Sequence, residues 1–146
     1  MTRPASAWIR RSAAVLCAVV WLAAATATHI PADAYAQITL GDVTLHFLGY
    51  LGLSGVFLLT LRLHGAGWKK RALTAIPVLL IYAVLDEITQ PLVGRCAAVS
   101  DIVANAVGVF AAVGLDGAVL LLRGLGKHFR SLLSHHKLNS SSWIQF

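Results

Sequence analysis

The chain has 146 residues, of which 58% are hydrophobic and 12% charged, and its mean hydropathy is +0.74. Soluble domains carry about 25% charged residues, so this chain has about half the usual supply. Disorder is excluded, because it requires low hydrophobicity and high charge. An ordinary soluble globule is excluded too, since too few polar groups exist to cover its surface. An integral membrane protein built as one unit is expected. The net charge of +6 would suggest a nucleic-acid partner in a soluble protein. The placement of the charges removes that reading.

A membrane span needs about 20 mostly apolar residues. Four stretches qualify, at about residues 12–28, 43–61, 72–90 and 101–122. Their apolar runs are continuous and lack the alternation of a lipid-facing barrel, so an all-α bundle of four transmembrane helices is expected. Eleven of the twelve Lys and Arg residues flank the spans on one side. They are Arg3, Arg10 and Arg11, then Arg62, Lys69, Lys70 and Arg71, then Arg123, Lys127, Arg130 and Lys137. Only Arg95 falls on the other side. The positive-inside rule therefore places both termini and the middle loop in the cytoplasm. The chain divides into a basic N-terminus (1–11), a four-helix membrane domain (12–122) and a basic cytoplasmic tail (123–146). That tail either lies along anionic lipid or is solvated.

Trp8 and Trp68 fall at the expected inner interface and Tyr35 near the outer one. Pro77 should kink the third helix, because it removes a helical hydrogen bond. The first span has a rival reading as a signal peptide, with Arg10-Arg11 before it and a small-residue site at Ala25-Thr26-Ala27. An uncleaved helix is the preferred expectation. Cys17 and Cys96 lie at different depths, so no disulfide is expected between them. No metal-binding motif or cofactor signature occurs, and His128, His135 and His136 belong to the solvated tail.

Polar groups inside a membrane are costly and carry a functional hypothesis by default. Asp33, Asp42, Asp86, Glu87 and Asp101 all fall on the outer side, and Asp116 alone toward the inner half of the fourth helix. Asp42, His46 and Tyr50 are spaced i, i+4, i+8, which makes one polar line on the second helix. Glu87 and Gln90 lie near the end of the third helix, and Asp101 and Asn105 are spaced i, i+4 on the fourth. At about 1.5 Å per residue, His46 and Asn105 lie about 6 Å inside their helix starts, and Glu87 about 4.5 Å inside its helix end. Three helices thus present polar groups at one depth, which points to a shared pocket. Plain structural readings stand beside this one. Asp42 could cap the second helix, and Ser100 with Asp101 the fourth. Tyr50 could be a core aromatic, and Asn105 an interhelical contact.

Glu87 sits at a helix C-terminus, where the macrodipole disfavours negative charge, so it needs a partner. Arg95 is the expected one, with His46 nearby. Asp116 is expected to face the bundle and reach Arg62 or Arg123. Gly49, Gly52 and Gly55 on the second helix, and Ala104, Gly108 and Ala112 on the fourth, fit close helix packing.

The run Asp42-x-x-x-His46-Phe47-x-x-Tyr50-x-x-Leu53, followed by Glu87-x-x-Gln90, Gly94-Arg95, Asp101 and Asn105-x-x-Gly108, resembles the VanZ-like family of bacterial membrane proteins. The resemblance covers about residues 41–122. It departs at Val43, where family members often carry Lys. The family is named for an accessory protein of glycopeptide resistance that raises tolerance to teicoplanin. The resemblance implies a cell-envelope role in the bacterial cytoplasmic membrane. It also implies functional positions at Asp42, His46, Tyr50, Glu87, Gln90, Arg95, Asp101 and Asn105.

Two functions follow. In the first, an outward-facing polar pocket binds a lipid-linked cell-wall precursor, an anionic lipid headgroup or a lipophilic glycopeptide, with Arg95 contacting an anion. In the second, the protein is a small intramembrane enzyme on the same substrates. Glu87 or Asp101 would then be the general base, His46 an acid or base, and Arg95 the stabiliser of negative charge. Membrane lipids are the expected surroundings, and an oligomer is compatible with four helices. A transporter is a weaker third option, because the polar groups stop within two turns of the outer face.

Overall fold

The computed structural model describes residues 5–30 and 41–140, with side chains as far as residue 130. Arg3, Asp33 and Tyr35, and the side chains of His135, His136 and Lys137, lie outside the described residues. Four helices follow one another: α1 (Ala7–Thr28), α2 (Asp42–Leu63), α3 (Trp68–Thr89) and α4 (Val99–Ser140). A short 3-10 turn, Gln90–Val93, closes α3. All four helices are long and apolar enough to cross a membrane, and the described residues include no strand. The fold is an all-α membrane bundle. A helix satisfies its backbone hydrogen bonds internally, which is the requirement hydrocarbon imposes.

Large and small side chains are sorted as that solvent demands. Leu22, Leu73, Ile81, Phe110 and Leu115 point outward, whereas Ala75, Ala83, Ala104 and Ala112 are buried between helices. Small residues let membrane helices approach closely, and lipid accepts the large ones. Leu53, Leu79 and Val109 complete the apolar centre.

The most extensive packing is between α2 and α4. At Gly108 on α4, an added Cβ would stand 2.6 Å from the Phe47 carbonyl oxygen and 2.9 Å from the Leu51 nitrogen. Only glycine permits that approach. The small-residue expectation therefore holds on α4 and fails on α2. An added Cβ at Gly49, Gly52 or Gly55 meets nothing within 4 Å, so those glycines do not set the contact.

Helix α1 lies at the margin of the bundle, packed chiefly on α2. Trp21 meets Phe57 edge-on at 5.8 Å and Tyr82 at 4.7 Å between ring centroids. The Thr60 hydroxyl is also within 3.3 Å of the Ala13 carbonyl. Trp68 rests on Gly117, where its Nε1 would be 3.2 Å from an added Cβ.

Two boundaries differ from the sequence expectation. Helix α3 begins at Trp68 and runs through Pro77, so Lys69, Lys70 and Arg71 form its first turn and not a loop. Helix α4 does not stop at residue 122. It continues without a break through the basic segment to Ser140, 42 residues in all. At about 1.5 Å per residue that is about 63 Å, about twice the apolar thickness of a bilayer.

Candidate functional site

Helices α2 and α4 begin, and α3 ends, at the same end of the bundle, here called the acidic end. Of the eight predicted site residues, His46, Tyr50, Glu87, Gln90, Asp101 and Asn105 are buried there. Asp42 forms the accessible rim, with 53% of its side chain exposed, and Arg95 beside it keeps only 9% of its side chain exposed.

The first cluster joins α2 to α4. The His46 Nδ1–H donates to Asn105 Oδ1 at 3.1 Å. A carbonyl oxygen only accepts, so this bond puts a proton on Nδ1 and turns the other ring nitrogen, Nε2, toward the neighbouring carboxylates. That Nε2 stands 3.8 Å from Asp42 Oδ1 and 3.8 Å from Asp101 Oδ2, beyond hydrogen-bond length. One oxygen of Asp42, His46 Nε2 and one oxygen of Asp101 lie within 4.8 Å of one another.

Arg95 is aimed by backbone geometry. Gly94 has a φ of 78°, the left-handed conformation that glycine adopts without strain. The Arg95 N–H then bonds back to the Gln90 carbonyl at 3.2 Å, closing the 3-10 turn. From there the guanidinium Nη2 contacts both oxygens of Asp42, at 2.9 and 3.0 Å. Its Nη1 donates to the Thr28 carbonyl at 3.4 Å. The expected Glu87–Arg95 pair is therefore replaced by Asp42–Arg95. Asp42 is the first residue of α2, directly after the N-cap Gly41, and its carboxylate turns to that pair.

Glu87 has a different solution. It is fully buried, and its Oε1 accepts the Ala98 backbone N–H at 2.6 Å. Ala98 immediately precedes α4, so Glu87 supplies the negative charge that a helix N-terminus favours. Gln90 Nε2 donates to the other oxygen at 3.3 Å. The dipole problem at the end of α3 is answered by the start of α4.

A third cluster escaped the sequence reading. Asp86, adjacent to Glu87 but turned toward α1 and α2, accepts the Thr28 hydroxyl at 2.7 Å and the Tyr50 hydroxyl at 3.5 Å. His29 stands 3.8 Å from the same carboxylate, with its Nε2 2.9 Å from Thr89 Oγ1. A signal existed, because Tyr82 and Asp86 are spaced i, i+4 on the buried face of α3. Tyr50 is thus both a core aromatic and a hydrogen-bond donor.

At the opposite end, Asp116 pairs with buried Arg71 at 3.0 Å to Nε and 2.6 Å to Nη2. Arg62 stands 3.9 Å away. The expectation of Arg62 as a partner holds, and Arg71 takes the place of Arg123 as the second. A cavity of about 290 Å³ opens beside them between α2 and α4, lined by Leu51, Leu58, Arg62, Ala112 and Asp116. Cys17 is buried and Cys96 exposed, and both are free thiols.

Two buried polar atoms at the acidic end, Gln90 Oε1 and Asn105 Nδ2, have no hydrogen-bond partner among the described residues. Buried polar groups are nearly always satisfied, so each such atom asks for an explanation. No known protein family, curated protein or solved structure matches this chain.

Proposed function

We propose that the protein is a bacterial cytoplasmic-membrane protein whose acidic end faces outward and binds the polar headgroup of a lipid-linked cell-envelope precursor. The observation that carries this reading is the set of buried polar side chains from α2, α3 and α4 at one depth. Within it, Gln90 Oε1 and Asn105 Nδ2 lack hydrogen-bond partners among the described residues. Burying such groups in a bundle surrounded by lipid is expensive, and a bound headgroup offsets that cost. The charge distribution supports the orientation, since bases flank one end and acids the other.

The resemblance to the VanZ-like family rests on these same positions and supports an envelope role, with tolerance to lipophilic glycopeptides as one expression of it. The test is binding of a lipid-linked cell-wall precursor to the protein in lipid nanodiscs, beside a neutral lipid of equal chain length. Selective binding that falls about tenfold or more in Asn105→Ala is the expected result. Equal binding of both lipids overturns the reading. A deletion strain complemented with wild type or His46→Ala, challenged with lipophilic and non-lipophilic glycopeptides, tests the tolerance component.

A second reading, an intramembrane enzyme, is favoured by one feature. Asn105 orients His46 so that a basic nitrogen faces two carboxylates. Glu87 is the weaker base in that scheme, because its carboxylate already caps α4. Turnover of the bound precursor, lost in His46→Ala, would select this reading over simple binding.

A further inference from the structure

The Asp42, His46 and Asp101 cluster has an arrangement that hydrogen bonding does not explain. His46 and Asp101 are buried, and His46 Nε2 is directed toward two carboxylates, 3.8 Å from each, without hydrogen bonding to either. The described residues bring Asp101 no ion-pair partner other than His46, at 3.8 Å. The only other hydrogen bond to its side chain among the described residues is from the Ser100 hydroxyl, at 3.3 Å. A buried carboxylate whose nearest ion-pair partner stands at 3.8 Å is poorly compensated.

We propose that Asp42, His46 and Asp101 bind one divalent cation of the zinc or manganese kind. Two atoms 3.8 Å apart subtend about 105–130° at an ion lying about 2.1–2.4 Å from each, within the range that such ions accept. Imidazole with two carboxylates is a ligand set that suits these metals. The Nδ1–H bond to Asn105 is the outer-shell support that metal-ligating histidines carry, fixing the tautomer and the ring plane. Arg95 does not compete for the site, because each Asp42 oxygen has two lone pairs and the guanidinium uses one.

The sequence lacks a recognised metal motif because two ligands come from the first turns of α2 and the third from the start of α4. The i, i+4 spacing of Asp42 and His46 was the legible half.

The cation also deepens the headgroup reading, on which this last step rests. Asp42, Asp101 and Arg95 together carry one net negative charge, which repels a phosphate. A divalent ion reverses that sign, and its open positions lie beside the exposed rim at Asp42. The group recognised is then a phosphate oxygen of the lipid headgroup.

The test uses full-length protein without a polyhistidine tag, stripped with chelator, held in detergent or nanodiscs, and titrated with zinc or manganese ions alone. One ion per chain is expected. His46→Ala and Asp101→Asn should each weaken it at least about tenfold, and Asn105→Ala about 10–100-fold. Asp42→Asn changes a half-exposed residue and decides the matter if the buried variants do not fold. It too should weaken binding. A variant with His128, His135 and His136 all changed to Ala should keep the ion. The proposal is overturned if wild type binds no ion, if Asp42→Asn binds as tightly as wild type, or if the tail variant loses the ion. No lipid ligand enters this titration, so failure of the headgroup reading is scored separately. That reading is scored by precursor binding with and without the metal.

Discussion

Glu87 closes the start of a helix to which it does not belong, its Oε1 lying 2.6 Å from the Ala98 nitrogen. The contact ties the end of α3 to the beginning of α4 at the depth where the polar groups gather. Glu87→Ala removes the acceptor, strands the Ala98 N–H and opens a cavity. A loss of about 2–5 kcal/mol is expected. Glu87→Gln keeps an acceptor of the same shape and should lose about 1–2 kcal/mol. Unfolding of the two variants in mixed micelles checks the ranking.

Asp116 and Arg71 form the ion pair at the other end of the bundle, with Arg71 buried. Arg71→Ala leaves Asp116 with Arg62 at 3.9 Å as its remaining described cation. Removing one partner of a buried pair costs about 3–5 kcal/mol. The double variant Arg71→Met, Asp116→Leu should recover most of that loss, because neither charge is then stranded. A double-mutant cycle on unfolding free energy measures the recovery.

Gly108→Ala places a methyl group 2.6 Å from the Phe47 carbonyl, so α2 and α4 must separate. Overpacking of this kind costs about 1–3 kcal/mol. Gly52→Ala, whose added carbon meets open space, should change stability by no more than about 1 kcal/mol. The pair of substitutions, compared by thermal unfolding in detergent, separates a glycine the packing requires from one it does not.

Thr28 attaches α1 to the rest of the bundle through its 2.7 Å bond to Asp86. Thr28→Val keeps the shape and removes the donor. The carboxylate is left with the Tyr50 hydroxyl at 3.5 Å and His29 at 3.8 Å. A loss of about 1.5–3 kcal/mol is expected for a hydrogen bond to a charged group. Unfolding measurements on Thr28→Val and Thr28→Ser, the latter close to wild type, check it.

The four spans were legible in the sequence because hydrocarbon imposes length and apolarity on every helix that crosses it. The Asp42–His46–Tyr50 line was legible because helical periodicity fixes which side chains share a face. The partners were less so. Arg95 reaches Asp42 through a 3-10 turn and a left-handed Gly94, and loop geometry of that kind has no periodic signature. Arg71 read as one charge of a basic loop, yet α3 begins early enough to carry it inside. Asp86 was overshadowed by its neighbour Glu87. Consecutive residues on a helix point about 100° apart, and here they serve different helices. The α4 boundary was misplaced because apolarity ends near residue 122 whereas helical hydrogen bonding continues.

The proposed function requires the buried polar cluster to be reached from outside the cell. Cys96 is exposed in the segment joining the Gln90–Val93 turn to α4, beside Arg95, and Cys17 is buried within α1. Labelling intact cells with a membrane-impermeant thiol reagent therefore tests this requirement with the protein's own residues. Labelling of Cys96 before permeabilisation, lost in Cys96→Ser, is the expected result. Labelling of Cys96 only after permeabilisation would place the polar end in the cytoplasm and contradict it.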